Sequence, residues 1–415
     1  MRPQLAKPER LLEELYPGAV VYIPGGPAEL ALLQRLVTRH PDCLDGVTLV
    51  SCLLPGMNTF DYASLHPGCK VETFLLPPAL RDSSSRERVR VLPLAYSAIA
   101  NYLAARRIDV AFLHVTPPHE GRCSLGVAAD FGPIVARTAR RLVGILNRAM
   151  PRPRSSPVIR VDSFDVVVEI DEPLTVTTMP QPSKECEAIA KHVAELVPDG
   201  ATVQTGIGQA PAAIWSALHE HHNLRVWSDS VGDGFAEALA AGALAPSGHL
   251  TSMACGSRSL YDLFDGTADI TFDSVEKTHD STALRKIDQF VAVNSALEVD
   301  LCGQVNLEWH GGKLISGVGG APDFHTAARH SRNGRSIIAM PSSARNGTIS
   351  RICARSHSPT VALSRVEADT VVTEHGVASL TGLSMDERAR ALIAIALPAH
   401  RPELERNWSE FRRVL

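Results

Sequence analysis

The stretch ATVQTGIGQAPAAIWSALHEHHNLRVWSDSVGDG, Ala201 to Gly234, constrains this chain most. A short apolar run ends at Gly206–Ile207–Gly208, and a segment of helical periodicity with Pro211, Ile214 and Leu218 follows. A second short run, Leu224 to Trp227, then delivers Asp229 into a Gly-rich turn. The pattern predicts strand, tight glycine turn, helix, strand, and a carboxylate just past a strand end. Open parallel sheets bind ligands at the carboxyl ends of their strands. A glycine turn opening a helix there can seat an anion on backbone N–H groups. The turn is not G-x-G-x-x-G, because Pro211 takes the third glycine's place, and no P-loop ending exists.

The same layout opens the chain. Pro8 to Leu15 reads as a helix, Ala19 to Ile23 as a strand, Pro24–Gly25–Gly26 as a turn, and Leu30, Leu33, Leu36 and Val37 as a helix face. A shift of 182 residues lays Gly18 on Gly200, Gly26 on Gly208, Ala28 on Ala210 and Leu36 on Leu218. A unit that occurs twice implies two similar α/β halves in one chain. Between the openings, Gly46 to Leu53, Lys70 to Leu76, Val89 to Leu92 and the continuous apolar run Ile108 to Val115 read as strands, the last a buried parallel one. The prolines between Pro173 and Lys184 punctuate the chain and place a domain boundary near 180, giving domains 1–180 and 181–415. Beyond it, Phe290 to Val299, Ser336 to Met340 and Thr370 to Thr373 read as strands and Ser384 to Ile395 as a final helix, followed by a polar tail.

A net charge of −4 leaves no basic excess to neutralise phosphates, which excludes nucleic acid as the main partner. No apolar run approaches the ~18 residues of a membrane span, and the first residues lack an apolar signal core. A cytoplasmic location is the resulting expectation. The eight cysteines are scattered without a C-x-x-C pair, as small buried thiols in a reducing compartment would be. The His219–His222 run HEHH suits no metal spacing and falls where a helix ends, so no metal site is expected.

Further glycine and polar loops follow strands. SGVGGAPDF, Ser316 to Phe324, lets a ligand approach the backbone or offers peptide N–H groups to an oxyanion or phosphate. PSSARNGTISR carries Ser342, Ser343, Arg345, Asn346, Thr348 and Arg351, a composition equally suited to an anionic, nucleotide-like group and to a solvated loop.

Together these motifs resemble the acetyl-CoA hydrolase/transferase family, the class I CoA-transferases that include 4-hydroxybutyrate, butyrate and succinyl-CoA:acetate CoA-transferases. The resemblance rests on VQTGIGQAPAAI, on VNSALEVDLCGQVNLEWHGGKLISGVGGAPDF (Val293 to Phe324), on SIIAMPSSARNGTISRI and on ADTVVTEHGVASLTGLSMDERARALIAIA. In the first half, VTPPHEGRCSLGVAADF is similar to the family's substrate-side loop. The resemblance implies two tandem open α/β domains of the CoA-transferase (NagB/RpiA-like) fold: an acyl or carboxylate side in 1–180, and a CoA-binding side with the catalytic carboxylate in 181–415. It implies an acyl-CoA and a small carboxylic acid as substrates, no tightly bound cofactor, and a homodimer or higher homo-oligomer. Gln204 and Gly320 match catalytic positions beside the nucleophile. Gly206, Ile207, Gly208, Gln209, Ala210, Gly319, Gly320 and Arg345 match the CoA-binding loops, and Gly25, Gly26, Trp227 and Val231 the acyl pocket.

The chain departs from the family at its centre. The family's nucleophile pattern is roughly H-S/T-E-x-x-S/T-D-G, and here Trp227–Ser228–Asp229–Ser230–Val231–Gly232–Asp233–Gly234 occupies it. Asp229 stands for the nucleophilic glutamate and Trp227 for the histidine. The carboxylate retreats by roughly 1.5 Å, about one C–C bond. Three readings stand: transfer with Asp229 as nucleophile, hydrolysis with Asp229 as general base, and a non-catalytic acyl-CoA-binding homologue.

Overall fold

The computed structural model describes residues 4–81, 84–177, 181–206, 208–266 and 269–414. They fall into two compact units, Met1–Thr178 with His249–Thr278 and Ile315–Gly319, and Met179–Gly248 with His279–Leu314 and Gly320–Leu415.

In unit 1 the strands of the eight-stranded sheet are β1 (Gln4–Leu5), β2 (Val20–Tyr22), β3 (Thr48–Ser51), β4 (Lys70–Thr73), β5 (Val89–Val91), β6 (Val110–Val115), β7 (Arg141–Asn147) and β8 (Val166–Ile170). They lie in the order β1-β8-β7-β6-β2-β3-β4-β5, every pairing parallel. Helices α1 (Ala31–Arg39), α2 (Tyr96–Ala105) and α3 (Gly132–Thr138) connect them. All six residues of β6 are buried, as a strand covered on both faces requires. The opening helix is the 3-10 segment Pro8–Glu14.

Unit 2 holds β9 (Thr202–Thr205), β10 (Arg225–Val231), β11 (Phe290–Asn294), β12 (Arg335–Ala339), β13 (Thr370–Thr373) and β14 (Gly376–Ser379). Their order is β10-β9-β11-β12-β13-β14, parallel except for the closing β13–β14 hairpin. Its helices include α4 (Lys184–Ala194), α5 (Gln209–Ala217), α6 (Asp233–Ala240), α7 (Ala321–His330), α8 (Met385–Ala394) and α9 (Arg401–Phe411). The internal repeat reappears as topology. β2 starts at Val20 and β9 at Thr202, and each lies between the next strand of its sheet and a later one.

Four expectations change. Asp229 lies inside β10, not in a turn beyond it, and Asp233–Gly234 begins α6 rather than a turn. Trp215 explains the second point: a Cβ on Gly234 would meet the Trp215 side chain at 2.6 Å, so glycine here permits close packing. The expected strand Phe290 to Val299 breaks after Asn294, and Glu298–Asp300 pairs elsewhere, with Val305–Asn306 and Ile352–Cys353. Finally, the start of the polar tail WSEFRRVL, Trp408 to Phe411, is the last turn of α9, whose Leu404 and Trp408 are buried.

Candidate active site

The carboxyl ends of β11, β9 and β10 build the site in unit 2. Val203 pairs with Val226, and Thr205 with Val293. Continuing this register sets Gln204 beside Trp227, and then Asn294, Gly206 and Asp229 in one lateral row. Side chains alternate along a strand, so Trp227, Asp229 and Val231 share one face of β10 and Ser228 and Ser230 take the other. Trp227 packs against the cluster of Leu284, Phe290, Ala292 and Phe324. That cluster joins β11 to α7 and fixes which face carries Asp229.

Asp229 Oδ1 lies 3.1 Å from Ser228 Oγ. Burial in this packed sheet end raises its carboxyl to about 6, against the smaller lowering influence of the Ser228 hydroxyl and nearby backbone groups. A carboxyl poised there is largely ionised at neutral pH yet stripped of much of its water. That suits a nucleophile or a general base.

Beside it runs a buried polar chain. Gln204 is 1% exposed, and its Oε1 accepts from Asn294 Nδ2 at 2.9 Å. Asn294 Nδ2 also lies 3.1 Å from His325 Nε2, and His325 Nδ1 lies 2.6 Å from Ser336 Oγ. Ser336 Oγ donates to the Glu367 carbonyl at 2.5 Å. His325 is fully buried, and desolvation lowers it to about 3, so the ring is neutral.

The glycine positions fall on elements that need them. Gly208, at φ +135°, is the N-cap of α5, and Gln209 and Ala210 form its first turn. Ile207 lies outside the described residues. Gly319 has φ +60° and accepts from the Tyr96 amide at 3.2 Å within unit 1. Gly320, at φ −86°, caps α7 in unit 2, and a Cβ there would meet His279 Nε2 at 2.5 Å. His279 stacks on Phe324 with centroids 4.5 Å apart. Arg345 is exposed at the tip of a hairpin made by Ser343–Ala344 and Ile349–Ser350, where Arg345, Asn346 and Gly347 all have positive φ. Ser342 is committed to Glu374, whose carboxylate accepts from its amide at 2.8 Å and its hydroxyl at 2.6 Å.

Gly25 and Gly26 lie in unit 1, at the end of β2. A Cβ on Gly25 would sit 2.0 Å from the Cys52 carbonyl oxygen. Asn58 Oδ1 accepts from the amides of Gly26 and Leu54 at 2.9 and 2.8 Å. Gly25 lines a small cavity with His114, Leu125, Asp130 and Met253.

Asn294, His325, Ser336, His279, Asn58 and Glu374 are additional polar groups of these regions. Asn294 alone carried a local signal, as the polar end of the apolar run Phe290 to Val293. The HEHH run caps helices: His221 Nε2 lies 3.2 and 3.0 Å from the Ala194 and Val197 carbonyls. Among the described residues, Glu298, Cys353 and His357 bring three ligand atoms within 4.8 Å of one another. Glu298 is already engaged there, accepting from Ser356 Oγ and the amides of His357 and Ser358, as the anchor of that loop.

Comparison with known proteins bears on this geometry. Residues 256–408 match the acetyl-CoA hydrolase/transferase C-terminal domain. The chain is 33% identical over 392 residues to the 4-hydroxybutyrate coenzyme A transferase of Clostridium kluyveri, covering 92% of this chain and 91% of that one. It is 31% identical to the succinyl-CoA:acetate/propanoyl-CoA:succinate CoA transferase of Fasciola hepatica, over 96% of this chain and 86% of the relative. The crystal structure of RipA from Yersinia pestis superposes with a TM-score of 0.90 at 27% identity, covering 99% of this chain and 98% of that one. Similarity of this extent, over both α/β halves and through the strands that carry Gln204, Asp229 and Asn294, makes the chain a member of the acetyl-CoA hydrolase/transferase family.

Proposed function

We propose that this protein is an acyl-CoA:carboxylate CoA-transferase with Asp229 as its nucleophile. The observation that carries the reading is Asp229 itself: a partly buried carboxyl raised to about 6, in a row with Gly206 and Asn294 at the sheet's carboxyl end. The Asp229 carboxylate attacks the thioester carbonyl, forming an acyl–aspartyl anhydride and releasing CoA thiolate. The thiolate attacks the aspartyl carbonyl, giving an aspartyl-CoA thioester and the free acid. A second carboxylate then attacks that thioester, and the returning thiolate completes the new acyl-CoA and regenerates Asp229.

Residues 181–415 form the CoA-binding side of this proposal and 1–180 the acyl or carboxylate side. Gln204 and Gly320 donate to developing charge; Gly206, Ile207, Gly208, Gln209, Ala210, Gly319 and Arg345 hold CoA; Gly25, Gly26, Trp227 and Val231 bound the acyl group. A homodimer or higher homo-oligomer in the cytoplasm, with no tightly bound cofactor, belongs to the same reading. Eight free cysteines support a reducing compartment.

A second reading is favoured by the short side chain. The retreat of roughly 1.5 Å leaves room for a water that Asp229 activates as general base, so that the thioester is hydrolysed to free acid and CoA. Incubation with an acyl-CoA panel, with and without acetate as acceptor, separates the two. Borohydride or hydroxylamine trapping of a covalent Asp229 adduct, with CoA moving only to the acceptor, is expected. Free CoA without an adduct establishes hydrolysis, and neither activity across the panel leaves a binding protein.

A further inference from the structure

The buried chain behind Gln204 determines the orientation of every group along it. It starts at a backbone carbonyl, which can only accept. Ser336 Oγ donates its single hydrogen to the Glu367 carbonyl at 2.5 Å, so it must accept from His325 Nδ1 at 2.6 Å. The ring is therefore the Nδ1–H tautomer, and Nε2 is an acceptor. Asn294 must turn its Nδ2 toward that nitrogen, at 3.1 Å, and spends its other Nδ2 hydrogen on Gln204 Oε1 at 2.9 Å. Gln204 thereby presents oxygen to Asn294. Its Nε2 makes a long contact of 3.5 Å with Asn294 Oδ1 and retains a second hydrogen that no hydrogen bond among the described residues takes up.

Among the described residues, the asymmetry comes from His325. An Asn–Gln amide pair can exchange N and O on both partners and keep its reciprocal contacts. Nothing in the pair itself selects the orientation that leaves Gln204 Nε2 as the outer group. A buried donor without an acceptor is costly, by about 1–3 kcal/mol, unless a ligand oxygen supplies one. Gln204 lies near the end of the central strand β9, two positions before Gly206 in the Asp229 row. We propose that His325, locked by Ser336, is a positioning residue that holds Asn294 and Gln204 in the one orientation presenting an N–H donor to the acyl oxygen. This rests on Asp229 being the reacting carboxylate, and it adds a residue outside the motifs that carried the family resemblance.

The test uses the full chain. Long-range ¹H–¹⁵N spectra of ¹⁵N-histidine-labelled protein are expected to show His325 as neutral Nδ1–H from pH 5 to 8. A protonated Nε2 overturns the proposal whatever the enzyme's activity. Ser336→Ala, which keeps the ring but frees its tautomer, and His325→Leu are each expected to lower kcat about tenfold or more, with KM for acyl-CoA within about twofold, as for an interaction made in the transition state. His325→Gln, whose side-chain oxygen can accept from Asn294, is expected to recover part of that loss. Retention of wild-type kcat in Ser336→Ala and His325→Leu, while Gln204→Ala loses it, overturns the positioning role, and so does wild-type kcat in Gln204→Ala. Absence of any transfer or hydrolysis in the wild-type protein defeats the functional reading instead; the tautomer of His325 then decides the orientation by itself.

Discussion

Ser228 Oγ lies 3.1 Å from Asp229 Oδ1 and 3.0 Å from the Thr205 carbonyl oxygen, and it has one hydrogen for two acceptors. When Asp229 is protonated, its own hydrogen serves Ser228, and Ser228 serves Thr205. When Asp229 is ionised, one of the two contacts lacks its hydrogen. The serine thus responds to the charge state of its neighbour.

On the proposed reading, activity follows from that charge state. Both nucleophilic attack and general-base catalysis need the carboxylate, whose carboxyl burial raises to about 6. The kcat/KM profile is expected to rise with pH through about 6 and then level. Ser228→Ala removes a group that lowers the value, so the rising limb moves to higher pH. A flat profile from pH 5 to 8, taken under conditions where chemistry limits turnover, excludes Asp229 as the titrating catalyst.

The raised value bears on stability as well. Asp229 holds its proton more tightly folded than unfolded, because its value is raised from 3.8 to about 6. Its contribution to stability is full below the unfolded value and is lost as pH rises through the folded one. At pH 7.5 the ionised form costs on the order of 2–3 kcal/mol relative to a neutral isostere, at about 1.4 kcal/mol for each tenfold change in proton affinity. Asp229→Asn is therefore expected to abolish turnover while raising the urea midpoint at pH 7.5. The gain should vanish near pH 4. A lower midpoint at pH 7.5 shows that charge at this position is compensated within the fold.

Gly320 is glycine for space and not for backbone conformation, since φ is −86°. Alanine would bring Cβ to 2.5 Å from His279 Nε2 and 3.1 Å from the Phe324 ring. Overpacking of this kind costs about 1–3 kcal/mol. Gly320→Ala should lose that much in chemical denaturation, and combination with His279→Ala should cost less than the sum of the two. Strict additivity in the double-mutant cycle contradicts the contact.

Asp229→Glu tests how the site fits its short carboxylate. The longer side chain advances the reacting oxygens by roughly 1.5 Å, and a 1 Å misplacement costs ~100-fold. Transfer is expected to fall by about that factor. A rise in transfer at the expense of CoA release reverses the assignment and identifies the native aspartate as tuned for hydrolysis.

What the sequence made legible depended on whether the signal was local. Gly208 at the opening of α5, the buried run of β6 and the repeat at an offset of 182 are set by neighbours in the chain, and each appears in the fold. Asp229 was found by its place in a motif, but its position within β10 was not, because Asp and Ser are poor strand formers and only pairing within the sheet holds them extended. His325 was invisible for the opposite reason. It sits 31 residues from Asn294 and 11 from Ser336, on a helix face that looks like any other. Only the packing of α7 on β11 and β12 makes it part of the site.

Helix α9 shows the same limit and offers a stability test away from the site. Its last residues, WSEF, open the segment WSEFRRVL that reads as a polar tail, because its apolar residues Trp408 and Phe411 stand among charged ones and their partner Leu404 lies one helical turn before Trp408. Leu404 and Trp408 are both 5% exposed in the core they share with Leu392 and Ile395. The Trp408 indole donates to Asp386 Oδ1 at 2.8 Å, at the start of α8. Trp408→Ala removes the largest anchor of the helix and leaves Asp386 without that donor. A loss of about 3–5 kcal/mol is expected, as for a buried tryptophan. Trp408→Phe keeps most of the packing and should isolate the smaller hydrogen-bond share, about 1 kcal/mol. Denaturant midpoints and hydrogen exchange over residues 401–411 read both. Unchanged stability in Trp408→Ala would return this segment to the solvated tail that its composition suggests.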